Sequence, residues 1–146
     1  MKAISLWQPW ATLVAIGAKR IETRSWPTDY RGPLAIHAAA KASDELSRLA
    51  WLSEPFGTVL TQAGVMRLPR GCVIATCTLV DCRPTDLTNR VMTYKFGEAS
   101  WPLDDQERAF GDYTPGRWAW LLADVQPLAH PIQARGYQRL WNWNQL

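Results

Sequence analysis

The sequence predicts an α+β fold, a partly closed β-barrel with short flanking helices. Three observations point there. Alternating or β-branched runs recur along the whole chain, the helical stripes are short and fall between the early strands, and closing such a sheet removes edges that would otherwise invite pairing with other chains. At 146 residues the chain fits one domain, 1–146, because two would each fall short of a core.

The elements follow in order. Lys2–Leu6 alternates as a first strand. Pro9 then sits where a first helical residue is tolerated, Trp10, Leu13, Val14 and Ile16 form an apolar stripe, and Gly17 supplies the stop. From Arg20 to Trp26 the period is two, so Glu22, Arg24 and Trp26 share one face and Ile21, Thr23 and Ser25 the other. A turn through Asp29–Pro33 leads into a strand at Leu34–Ala38. Ser43, with Asp44 and Glu45 behind it, starts a short helix carrying Leu46, Leu49 and Trp51. Glu54–Arg70 is ambiguous between helix and strand.

Cys72–Val80 is the clearest strand, β-branched and apolar on both faces, as a strand covered on both sides must be. From about 83 to 112 the pattern turns polar and is broken by Pro84, Gly97, Pro102 and Gly111. This reads as an insertion or lid, helical only over Asp104–Phe110. Arg117–Val125 is a strong strand, and Ile132–Arg135 is expected to close the sheet before a tryptophan-rich tail.

Composition narrows the function classes. With 47% hydrophobic and 20% charged residues this is a folded globule, and no apolar run approaches the roughly 20 residues of a membrane span. The N-terminus lacks the apolar core of a secretory signal, and Cys72, Cys77 and Cys82 fit neither a disulfide framework nor a zinc pair. A cytoplasmic protein with reduced thiols is expected. The net charge of +3 permits an anionic partner without demanding one. Nine tryptophans either fill a core or offer stacking faces to bases.

The densest cluster of chemistry is Gly17–Trp26, where a helix ends and a strand with an ionic face begins. Lys19 offers a point charge for phosphate or, if desolvated, a base. Glu22 can accept protons or orient Lys19, and Arg24 can fork onto a phosphate or a base edge. Trp26 follows on the same face as the preferred stacking residue. The alternative for the same spacing is a solvated strand face with a local ion pair.

Ile4–Trp10, Gly17–Trp26, Tyr30–Leu34 with Ile36–Ala38, and Phe110–Trp120 together resemble the activating signal cointegrator homology, or ASCH, family. The resemblance runs from about Ile4 to Val125 and keeps the motifs in order. It implies a PUA-like barrel with a cleft beside the first helix that receives RNA or another nucleic acid. The family's glycine, lysine, glutamate and arginine signature maps onto Gly17, Lys19, Glu22 and Arg24. Some relatives of similar fold are ribonucleases, and a shorter branch removes the acyl group from 4-acetylcytidine with a threonine nucleophile. This chain carries Glu22 at that threonine position, a departure from the amidohydrolase pattern.

The leading expectation is thus an RNA- or single-strand-binding protein, or one holding a nucleotide-like ligand, with ribonuclease activity as the nearest catalytic extension. Lys19 and Glu22 would then be catalytic. Lys19, Glu22, Arg24 or Arg117 would supply base, acid and cation without a metal. Trp7, Trp10, Arg24, Trp26, Arg31, Lys41 and Arg117 are the candidate ligand contacts. A nucleoside amidohydrolase and a non-catalytic module whose tryptophans dock a protein are the competing readings. No cofactor is expected. Asp104, Asp105 and Glu107 could recruit Mg²⁺, but as a helix first turn they answer the dipole. His37, on an apolar strand, reads as structural and His130 as surface.

Overall fold

The computed structural model describes residues 1–41, 44–85 and 92–144, without the side chains of 44, 46 and 47. The expected helix start at Ser43 lies outside them. β1 (Lys2–Leu6) sends Ile4 and Leu6 inward and leads to α1 (Trp10–Ala15). Pro9 precedes α1 and caps nothing with its ring; the buried Gln8 does so instead, its Oε1 accepting from Thr12 N at 3.0 Å while its Nε2 donates to Pro69 O at 2.7 Å. Gly17 ends the turn at φ +81°, a left-handed conformation that a residue with a Cβ adopts at a cost.

β2 (Ile21–Arg24) and β3 (Gly32–Ala38) follow, then α2 (Asp44–Leu52) and α3 (Phe56–Gln62). α3 fills part of the stretch that is ambiguous in the sequence. β4 (Cys72–Pro84) and β7 (Trp118–Gln133) form a long antiparallel pair whose register shifts three times. Such irregularities increase twist and bend a sheet round. Between them lie the hairpin β5 (Thr93–Phe96) and β6 (Ala99–Pro102) and the short helix α4 (Asp105–Ala109). Ile132 and Gln133 end β7 rather than forming a separate strand, and the last strand is β8 (Trp141–Asn142).

The main sheet runs β2-β7-β4-β3-β1-β8, with β1 parallel to β3 and its other pairs antiparallel. It curls without closing, the partly closed α+β barrel that the sequence predicts. Inside the curl, Ile4, Leu6, Leu34, Ile36, Leu79, Trp120 and Leu122 pack with Ala11 and Val14 of α1. On the outside, the β5–β6 hairpin covers β2 and β7 with Tyr94 and Trp101, and the tail covers β1 and β3 with Trp141 and Trp143. Trp101 is fully buried and donates its indole N–H to Leu122 O at 2.8 Å, which satisfies the polar end of a large apolar side chain. No described helix is long and apolar enough to cross a membrane.

Candidate functional site

The site begins where Gly17 turns the chain out of α1. Leu13 O accepts from both Ala18 N and Lys19 N, which delivers Lys19 to the start of β2 with its side chain wholly buried. Its ammonium donates to Ile21 O at 2.5 Å and Phe110 O at 3.0 Å and lies 3.5 Å from Glu22 Oε1. Three partners account for the three donors of an ammonium. Lys19 thus sits behind the site with its ammonium turned to protein partners, where the sequence alone offers it as a charge for phosphate or, if desolvated, a base.

Glu22, 8% exposed, accepts from Thr23 N at 3.1 Å through Oε1 and holds Arg24 Nε 3.5 Å from Oε2. Arg24 reaches on, donating from Nη2 to Ser5 O at 2.8 Å. This last bond spans the two ends of the curled sheet, because β2 is one edge and β1 is next to the other. Where backbone pairing fails to close the barrel, an arginine bridges the opening. A second carboxylate, Glu107, accepts from Arg20 N at 2.8 Å; burial raises its carboxyl above the usual range, against the pull of the Arg20 amide and the Lys19 charge.

That opening is a hollow of about 440 Å³, within the roughly 300–1,000 Å³ usual for ligand sites. Ser5, Leu6 and Trp7 line one side, Glu22, Thr23 and Arg24 the other, and Trp10 and Ala109–Asp112 complete the rim. The Ala109–Asp112 wall is tied to β2. Asp112 N donates to Thr23 Oγ1 at 3.0 Å, and Arg117 joins Thr23 O at 3.4 Å to Asp112 O at 3.1 Å. Gly111 permits the approach, since a Cβ there would stand 2.9 Å from the Tyr113 ring and 3.2 Å from Thr23. The Asp112 carboxyl is held below its usual range by the Thr114 hydroxyl and amide, with help from Arg117.

The structure thus gathers Trp7, Trp10, Glu22 and Arg24 round one hollow, with Lys19 and Arg117 bracing its walls. Thr23 lines it too, although strict alternation turns Thr23 away from Glu22. Trp26 lies in an adjoining hollow, edge-on to Trp120 at 4.9 Å, with the Arg139 guanidinium 5.0 Å from its ring centre. Arg31 is elsewhere, locked to Asp81 at 2.9 Å and to Thr28 O and Tyr30 O, and the exposed Lys41 lines neither hollow. Asp104 caps α4 by accepting from Glu107 N at 2.8 Å.

His37 is buried and fully engaged. Its Nε2 donates to Ala134 O at 2.8 Å, which leaves Nδ1 to accept from the Ser5 hydroxyl at 3.0 Å. Sequence reasoning passes over Ser5, Phe110, Gly111 and Asp112 as lining residues. The signal for the last three is the glycine in Phe110-Gly111-Asp112, a place where backbone must approach closely.

The ASCH domain matches residues 4–131 of this chain. The chain belongs to the ASCH domain family. Two relatives are named activating signal cointegrator 1. The mouse protein is 37% identical over 143 residues, 94% of this chain but 21% of its own length; the human protein is 38% identical over 84 residues, 54% of this chain and 14% of its own. The chain therefore spans about a fifth or less of those cointegrators. Among solved structures, the ASCH protein of Zymomonas mobilis superposes with a TM-score of 0.53 at 21% identity, covering 99% of this chain and 87% of that one. A serine-to-alanine mutant of the same Zymomonas mobilis protein gives 0.51 at 20% identity, with the same coverage of 99% and 87%. These likenesses establish the PUA-like ASCH fold. The family is associated with RNA binding.

Proposed function

We propose that this ASCH domain binds RNA by receiving a nucleotide in the opening between β1 and β2. The observation that carries the reading is the meeting of Arg24 and Glu22 with Trp7 and Trp10 round one hollow of about 440 Å³. Each type of group has a task. Trp7, 56% exposed, offers an indole face on which a base of any identity can stack. Arg24, its side chain 26% exposed, presents a guanidinium to phosphate, and the Glu22 carboxylate accepts from an exocyclic amine or a sugar hydroxyl.

The same residues carry the hydrolase alternative, with Glu22 as base. Binding without cleavage is favoured because the Lys19 ammonium is spent on Ile21 O, Phe110 O and Glu22, and Arg117 on Asp112 and Thr23. Of the candidate cations this leaves only Arg24, itself paired with Glu22 and Ser5 O, to face a phosphate.

Titration of labelled single-stranded RNA, followed by polarisation, tests this. Arg24→Ala and Trp7→Ala are each expected to weaken binding about tenfold, in the range for losing a charge-assisted contact or a stacked base. RNA incubated with the protein, with or without EDTA, is expected to stay full length. Unchanged affinity in both variants would reject the site, and metal-independent cleavage lost in Glu22→Gln would replace binding with the ribonuclease reading.

A further inference from the structure

Beside the first hollow lies a second of about 350 Å³ that shares three residues with it, Ser5, Trp7 and Arg24. Its other walls include Trp26 of the segment after β2 and Tyr137 and Arg139 of the tail. The tail residues lie past the stretch that the ASCH domain matches, which ends at residue 131.

The chemistry of the second hollow differs from that of the first. Glu22 and Asp112 line the first, whereas no carboxylate lines the second among the described residues. It combines two guanidiniums, Arg24 and Arg139, with three aromatic rings, two of them well exposed: Trp7 at 56% and Tyr137 at 54%. Cations interleaved with accessible ring faces suit a strand of alternating phosphates and bases. An acidic peptide would use the cations and leave the rings idle.

The tail is also held in place before any ligand arrives. Ala134 accepts from His37 Nε2 at 2.8 Å and donates to Gly71 O at 3.1 Å. Trp141 Nε1 donates to Ser5 Oγ at 3.2 Å, β8 pairs with β1, and Trp143 N donates to Met1 O at 2.8 Å. Gly136 seats the chain against the sheet, since a Cβ there would fall 2.7 Å from Ser5 Oγ and 2.5 Å from the His37 ring. A platform anchored at both ends loses little freedom when it is occupied.

We propose that the second hollow holds the neighbouring nucleotide of a single RNA strand, so that the ligand is a polynucleotide and not a free nucleoside. Arg24 and Trp7, common to both hollows, then flank the phosphodiester that joins the two nucleotides. Arg139 meets the next phosphate, and the second base lies against the exposed Tyr137. This rests on the proposed RNA binding at the first hollow and extends it.

The test compares each 5′-mononucleotide with the matching RNA dinucleotide on the intact chain, by calorimetry, in wild type, Arg139→Gln and Tyr137→Ser. Both residues are exposed, so both variants are expected to fold, and unchanged circular dichroism checks this. Wild type is expected to bind the dinucleotide at least about tenfold tighter than the mononucleotide, the gain that one stacked base brings. Each variant should erase most of that gain while leaving mononucleotide affinity within about twofold, since neither residue lines the first hollow. Equal affinity for the two ligands in wild type, or a dinucleotide gain that survives both variants, overturns the second subsite and leaves the first standing. A parallel loss of mononucleotide affinity shows a tail that only braces the first hollow and also overturns it. Absence of binding to either ligand sinks the RNA reading itself and turns the exposed rings toward a protein partner.

Discussion

Removing the Lys19 ammonium strands three acceptors at once: two carbonyls and the Glu22 carboxylate, itself 8% exposed. Breaking a buried pair from one side costs about 3–5 kcal/mol, because the remaining charge loses compensation, here down to Arg24 and Thr23 N for Glu22. Lys19→Met is therefore expected to lose about that much in urea unfolding, and Lys19→Met with Glu22→Gln to cost clearly less than the two single changes added together, since contacting residues couple. Simple additivity would show that Lys19 and Glu22 do not act as a unit. The sequence identified this cluster but not the burial of the lysine. Spacing put Lys19, Glu22 and Arg24 together, yet nothing local reveals that Phe110 O, 91 positions on, will take a lysine proton and pull the side chain inside. The pairing of Arg31 is hidden for the same reason: Asp81, which it meets, is 50 positions away.

At the scale of elements the tail is held through a neutral imidazole, and this makes its docking depend on pH. His37 titrates below its usual 6.5 because burial disfavours the charged ring, outweighing the Ala134 carbonyl. Between the folded and unfolded values only the unfolded chain takes up the proton. The associated stability is intact above pH 6.5 and is lost as pH falls below it, by up to about 1.4 kcal/mol per pH unit. Glu107, raised by burial, pulls in the opposite direction, so the informative quantity is the difference between wild type and His37→Gln. Thermal melts at about pH 7.5 and about pH 5.5, either side of the unfolded value, are expected to show a steeper acid loss in wild type, with tail amides exchanging sooner. Parallel behaviour would remove His37 from the tail's anchorage.

The elements themselves were legible to differing degrees. β1, α1, β3 and the core of β4 follow from alternation and stripe. The first half of β7 follows as well, but its continuation past Val125 does not, because Pro127 and Pro131 look like strand breakers. They are tolerated because β2 pairs only with residues 118–121 of β7, which leaves one side of the later half without a ladder, and a register shift absorbs the excess residues.

For the whole molecule, a partly closed barrel could be read from many strands and short helices, but the place where it stays open could not. That place is fixed by strand order: β2 and β1 meet across the opening because the long β4–β7 pair curls the sheet far enough for Arg24 to reach Ser5 O. The same architecture limits how electrostatic RNA binding can be. The net charge is only +3, and in the proposed mode two arginines of the paired hollows, Arg24 and Arg139, would carry the phosphate contacts, Arg24 while paired with Glu22. Each neutralised phosphate of a single strand contributes about −0.7 to the slope of log affinity against log salt, and two give about −1.4. Raising salt from about 50 to about 200 mM should then weaken binding about sevenfold, and Arg139→Gln should reduce the slope by about half. A flat response would remove both phosphate contacts. A slope several times steeper would mean that the RNA lies across a broad basic surface instead of in the opening, because two guanidiniums cannot release that many counterions.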